Sequence, residues 1–220
     1  MNNMRGLLEK DLRLLLKRKN YLLLMLVIFV GFSFMMEPSF VVGYVPVLSV
    51  LFTISTISYD EFDNGYPFLM TLPVSRKEYA LSKYVFGGVL GIFAWVLAVV
   101  LYFAANVVQG LEWSTGDIAP VVLVPVTIFA VLLSVLVPVE LKFGSEKGRI
   151  VLMLIFGVVA LAALLGGKAL AALNLDTTAL VARLDAIPDA AIYGVVIGII
   201  VSFVAVSVLI SVKVMENKEF

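Results

Sequence analysis

Long apolar runs alternate with short polar breaks along this chain. Six apolar segments stand out: Tyr21–Met36, Phe40–Tyr59, Tyr84–Val108, Ala119–Val139, Ile150–Gly166 and Ala190–Val212. Each comes close to the ~20 residues a helix needs to cross ~30 Å of hydrocarbon. The first is short and is expected to enter at a shallow level. Pro46 lies inside the second run, and Pro125 and Pro138 inside the fourth. Kinks of this kind are tolerated where neighbouring helices satisfy the freed carbonyls. The pattern predicts an all-α integral membrane protein, residues 1–220 forming one domain of six transmembrane helices.

The flanking segments have their own periodicities. In residues 1–20, Leu8, Leu12, Leu15 and Leu16 follow helical spacing with Lys10, Arg13 and Lys17 between them. That predicts an amphipathic helix lying in the membrane interface; the same basic residues would also serve as a bare topology anchor. A signal peptide does not fit, because the charged region is too long and Glu37-Pro38 follows the first apolar run in place of a small-residue cleavage site. The Gly167–Asp189 segment, rich in Ala and Leu, is long enough for one or two short helices at the outer membrane surface or dipping into it.

The most polar interruption is residues 60–83. Ser75 and Glu78 form an S-x-x-E capping box just after Pro73, so a helix should start near Arg76 and continue into the third run. Upstream, Asp60, Glu61 and Asp63 precede Asn64-Gly65, a turn signal. Pro67 suits the first turn of a short helix ending near Leu72. The prediction is a short helix across the end of two spans. Phe62, Tyr66, Phe68, Leu69 and Met70 exceed what a loop in water needs. Either they face lipid headgroups or they fill a cleft on a partner protein.

Composition supports the bilayer as solvent: 62% of residues are hydrophobic and 15% charged, with a mean hydropathy of +1.08. Soluble domains run nearer half apolar and a quarter charged. Formal net charge is zero and points to no nucleic-acid partner. Of the 16 basic residues, all but Lys168 and Arg183 fall in residues 1–20, 60–83 and 140–149 or the C-terminal tail. The positive-inside rule therefore puts both termini and the 60–83 insert in the cytoplasm.

Candidate chemistry is sparse. The chain has no histidine and no cysteine, which removes imidazole and thiolate metal sites, disulfides and thiol catalysis. None of the six runs contains Asp, Glu, Lys or Arg, which argues against proton relays but leaves sodium coupling through backbone carbonyls open. No HExxH or GxxxxGK[ST] motif is present. A chain without its own fuel site is a passive pore, a structural or scaffold subunit, an ion-gradient carrier, or the membrane half of a machine driven by another chain.

Ser49, Thr53 and Thr56 share one face of the second run and could line a cavity, with Asn106 a further candidate. Such hydroxyls can equally bond their own helix carbonyls. Gly87 and Gly91 in the third run, and Gly194, Gly198 and Ser202 in the sixth, have the small-xxx-small spacing of close helix packing. That packing could join two copies or lie within one.

The stretch Thr71-Leu-Pro-Val-Ser-Arg76, followed by Glu78 and Ser82-Lys-Tyr84, resembles the type-2 ABC exporter permeases, in particular the small six-span group of Gram-positive bacteria that includes exporters of phenol-soluble modulins and related peptides. The layout is similar over the whole chain; the specific motif covers residues 60–84. The resemblance implies that the insert is a coupling helix docking on a soluble ABC ATPase, with Phe62, Tyr66, Phe68 and Leu69 as anchors and Asp60, Glu61, Arg76 and Glu78 orienting them. It implies two permease and two ATPase copies in a bacterial cell membrane. ATP and Mg would sit on the ATPase, with no catalytic residue, metal or cofactor on this chain. The cargo would be an amphipathic peptide or another hydrophobic molecule, moved outward by alternating access.

Overall fold

A computed structural model of the chain describes residues 2–35, 38–62, 65–110, 115–172 and 188–218. The described residues form seven helices: α1 (Asn2–Leu16), α2 (Lys19–Met35), α3 (Pro38–Glu61), α4 (Gly65–Thr71), α5 (Arg76–Gln109), α6 (Thr115–Ala172) and α7 (Asp189–Glu216). The short helices expected in Gly167–Asp189 fall largely outside these residues.

Local signals fix several boundaries. Ser75 caps α5, its Oγ accepting from the Glu78 N–H at 3.1 Å while Glu78 accepts from the Ser75 N–H at 2.9 Å. Gly110 ends α5 in the left-handed conformation (φ 65°), as helix C-caps favour. Pro46 is carried inside α3.

Four helices are long and apolar enough to cross a membrane: Val42–Glu61, Arg76–Gln109, Val121–Ala162 and Ala191–Glu216. The 17-residue α2 is apolar but shorter, matching the short first run. The 42-residue Val121–Ala162 stretch would measure ~63 Å if straight, about twice a hydrocarbon core. It is not straight, because Gly144 (φ 72°, ψ 179°) interrupts the helix. The polar loop expected over Glu140–Arg149 is thus corrected to a one-residue break with helix on both sides. Glu61 explains how one residue suffices: its carboxylate accepts the Ser145 N–H at 2.7 Å, capping the second half of α6 from outside.

Polar contacts collect the chain's charged segments at one end of the bundle. Lys10 of α1 meets Asp60 at the end of α3. Arg76 donates to the Glu216 carbonyl at 2.7 Å, closing the end of α7. Lys218 donates to the Leu141 carbonyl at 2.9 Å. At the opposite end, Gln109 of α5 reaches the Ser33 carbonyl of α2 at 3.1 Å. The N-terminal helix, the 60–83 insert, the Gly144 break and the tail therefore share one side.

Helix α3 is central, packed against α5 and α6. Its seam with α5 is made close by Gly87, where an added Cβ would lie 2.8 Å from Leu133 and 3.1 Å from Thr53. At Gly91 an added Cβ would collide with the Phe129 ring. These two glycines serve packing within one chain. Gly194 and Gly198 differ, with nothing of this chain within 4 Å. Ser202 beside them is exposed and bonds its own Gly198 carbonyl at 2.8 Å. Helix α7 is fastened instead by Tyr84, whose hydroxyl meets Ser207 at 2.6 Å and Ser211 at 2.7 Å.

This asymmetry between glycines is testable. Gly91→Val and Gly144→Ala should each destabilise the purified protein by about 1–3 kcal/mol, the first by overpacking and the second by forcing a side chain into a glycine-only conformation. Gly198→Val should leave the monomer's thermal unfolding, followed by circular dichroism in detergent, close to the wild-type value.

Candidate functional site

Helix α4 lies across the charged end with two distinct faces. Tyr66 and Leu69 turn inward and are buried, while Phe68 is 67% exposed and Phe62, just before the helix, 58% exposed. Tyr66 meets Tyr79 of α5 edge-on, with ring centroids 5.6 Å apart. Lys218 of the C-terminal tail sits 4.4 Å over the Tyr66 ring. Burial pushes the Tyr66 phenol well above its ordinary range, so it stays protonated. It also lowers the Lys218 ammonium, against the opposing pull of Glu61 and Glu140.

Beneath this helix is a cluster of buried charges. Lys83 has no exposed surface, nor does Asp11. The Lys83 Nζ donates to both Asp11 oxygens at 2.9 and 2.8 Å, to Asp60 Oδ2 at 2.8 Å and to Thr56 Oγ1 at 3.2 Å. Lys10 pairs with the other Asp60 oxygen and lies 3.2 Å from Asp11. The Tyr79 hydroxyl donates to Asp60 at 2.9 Å, and its ring lies 5.0 Å beneath the Lys83 ammonium. Two cations and two anions balance. Helical spacing explains the convergence, since Tyr79 and Lys83 stand one turn apart on α5, as Thr56 and Asp60 do on α3. The cluster binds α1, α3 and α5 into one body, and Tyr66 seats α4 on it.

A second polar layer adjoins the first. Ser58 donates to Glu140 at 2.6 Å, while Glu61 caps the restarted half of α6. These contacts extend the body to α6. Among the described residues no three acidic side chains converge to hold a metal ion, and the carboxylates of Asp11 and Asp60 are already engaged by lysine. The arrangement holds helices in register and leaves an apolar patch facing outward.

Of the residues singled out for partner contact, the structure turns Phe62 and Phe68 outward and the others inward or onto their own chain. Asp60 belongs to the ion cluster, Tyr66 and Leu69 to the core, Glu61 to the Gly144 break, Arg76 to the end of α7, and Glu78 to its own cap. Ser49, Thr53 and Thr56 are buried along the α3–α5 seam. Their hydroxyls bond the Pro46, Ser49 and Thr53 carbonyls of the same helix at 2.5, 3.0 and 2.8 Å. Asn106 is buried too, bonding the Tyr102 carbonyl at 2.8 Å. The Asp11–Lys83 pair was missed. Its trace in the sequence is an acid at position 11 among the bases of α1, and a lysine one turn after Tyr79.

A family model described as ABC-2 family transporter protein matches residues 6–216. No curated protein matches the chain.

The cluster makes a sharp stability prediction. Removing one member of a buried pair strands its partner, at a cost of about 3–5 kcal/mol. Lys83→Met and Asp11→Asn should each lose stability on that scale. The double substitution should recover a good part of the loss, giving a coupling energy above about 1 kcal/mol in a double-mutant cycle of thermal unfolding.

Proposed function

The chain belongs to the ABC-2 family of transporter proteins, and we propose that it is the membrane-spanning permease subunit of an ATP-driven exporter. In this reading α2, α3, α5, the two halves of α6, and α7 are the six spans. The charged end faces the cytoplasm of a bacterial cell, as its basic residues favour. Helix α4 is the coupling helix, and its partner is a soluble ABC ATPase that carries ATP and Mg. Two permease copies and two ATPase copies make the working unit.

The observation that carries this reading is the split character of α4. Its inner face, Tyr66 and Leu69, is anchored to the ion cluster; its outer edge presents Phe62 and Phe68 to solvent on the charged side. Exposed aromatic anchors on a rigid base are what a docking surface uses. A push on Phe68 travels through Tyr66 to Tyr79, then to Asp60 and Lys83, and so reaches α1, α3 and α5 together. Closure of the ATPase dimer would draw the two coupling helices inward and turn the cavity between permeases from one side of the membrane to the other. The apolar walls favour an amphipathic peptide or another hydrophobic cargo.

Docking is tested by Phe62→Asp with Phe68→Asp. Both residues are exposed, so the double variant should keep the wild-type thermal unfolding while losing co-purification with the ABC ATPase. An intact complex in that variant would remove α4 from the docking role. Leu69 is unsuitable for this test, because a buried aspartate there would unfold the site.

A further inference from the structure

Two clefts adjoin along α2, where it leans on α3 and α5. The one at the charged end, about 230 Å³, is bordered by Arg18, Tyr21, Ser55 and Thr56. The deeper one, about 200 Å³, is walled by Phe29, Val45, Phe93 and Leu97. Leu15, Met25, Leu48 and Phe52 border both, so they form one crevice. From Arg18 to Phe29 it descends ~16 Å along α2, about half of a ~30 Å hydrocarbon layer.

Polarity changes along this path. The outer cleft has a guanidinium and the hydroxyls of Tyr21, Ser55 and Thr56, the last two bonded to the Phe52 and Thr53 carbonyls at 2.7 and 2.8 Å; the deeper one, among the described residues, has only the Ser49 hydroxyl, taken by the Pro46 carbonyl at 2.5 Å. Arg18 is exposed at the mouth, 5.0 Å above the Tyr59 ring, between Lys17 and Lys19. Among the described residues no carboxylate borders either cleft. The Arg18 carbonyl accepts from the Tyr21 and Leu22 N–H groups at 2.9 and 3.0 Å, so the positive end of the α2 dipole opens at the same place. The outer rim is exposed at Leu26, Leu51 and Phe93, giving sideways access from the bilayer.

We propose that this crevice binds an anionic phospholipid of the surrounding membrane. The phosphate rests at Arg18 and the start of α2, and one acyl chain runs past Met25, Leu48 and Phe52 toward Phe29. The charge at the mouth selects an anion, the gradient selects an amphiphile, and clefts of about 230 and 200 Å³ are too small for a helical peptide, whose body is ~10 Å across. Guanidinium suits phosphate by its forked donors. The proposal rests on the chain spanning a membrane and does not depend on what it transports.

The test is native mass spectrometry of the full-length protein in detergent with phosphatidylglycerol or phosphatidylcholine of identical chains. Phosphatidylglycerol should be retained about fivefold more strongly, the scale of one basic residue acting on an anionic lipid. Arg18→Ala, at an exposed position, should abolish the difference, and Arg18→Lys should keep part of it. Met25→Trp or Leu48→Trp should lower retention of both lipids by filling the crevice; whichever variant keeps wild-type unfolding is the one read. Equal retention of the two lipids would overturn the proposal, as would a preference surviving Arg18→Ala. Retention of a second copy of the chain in place of lipid, lost on filling the crevice, would assign it to an interface between copies and also overturn it.

Discussion

Much of this bundle's order hangs on the ammonium group of Lys83, held between the carboxylates of Asp11 and Asp60. Within a bilayer, apolar surface gives helices little reason to prefer each other over lipid, so close packing and polar contacts must choose the arrangement. Lys83 makes four such contacts, on two neighbouring helices. Its desolvation is tolerable because every donor has a partner and the charges balance with Lys10. Remove that group and α1 loses its ionic tie to α5, while Asp60 loses the cation that holds it beneath Tyr79.

The same logic explains why the polar fasteners sit where they do. Tyr84 with Ser207 and Ser211, Arg76 with the end of α7, Lys218 with Leu141, and Glu61 with Ser145 act near the charged end or on the half of the bundle leading to it. Further along, the described contacts include Trp95 to the Val122 carbonyl at 3.1 Å, and Gln109 to the Ser33 carbonyl at 3.1 Å.

The parts of this fold legible in the sequence were those written locally. The all-helical character follows from long apolar runs, the Ser75–Glu78 box and the Pro67 turn each reside within a few residues, and α5 and α4 begin close to where those signals put them. The illegible parts depend on distant partners. Asp11 and Lys83 are 72 positions apart, and α1's pattern of leucines hid its other face: Leu12 and Leu16 are exposed, while Leu7 and Asp11 are buried against the bundle. Gly144 gave no sign that one residue would replace a loop, because the cap completing it comes from Glu61. Nor does spacing tell an internal glycine pair from an external one; Phe129 lying on Gly91 decides that.

Helix α1 therefore answers to two environments at once. Leu12 and Leu16 are exposed while Asp11 is locked to the base of α5, so a displacement of α4 passed through Tyr79 and Asp60 would reach α1 as well. The end of α1 also forms the mouth of the α2 crevice, through Leu15 and Arg18. Among the described residues, the ties between α1, α3 and α5 are concentrated in one neutral set of four charges at the charged end of the bundle.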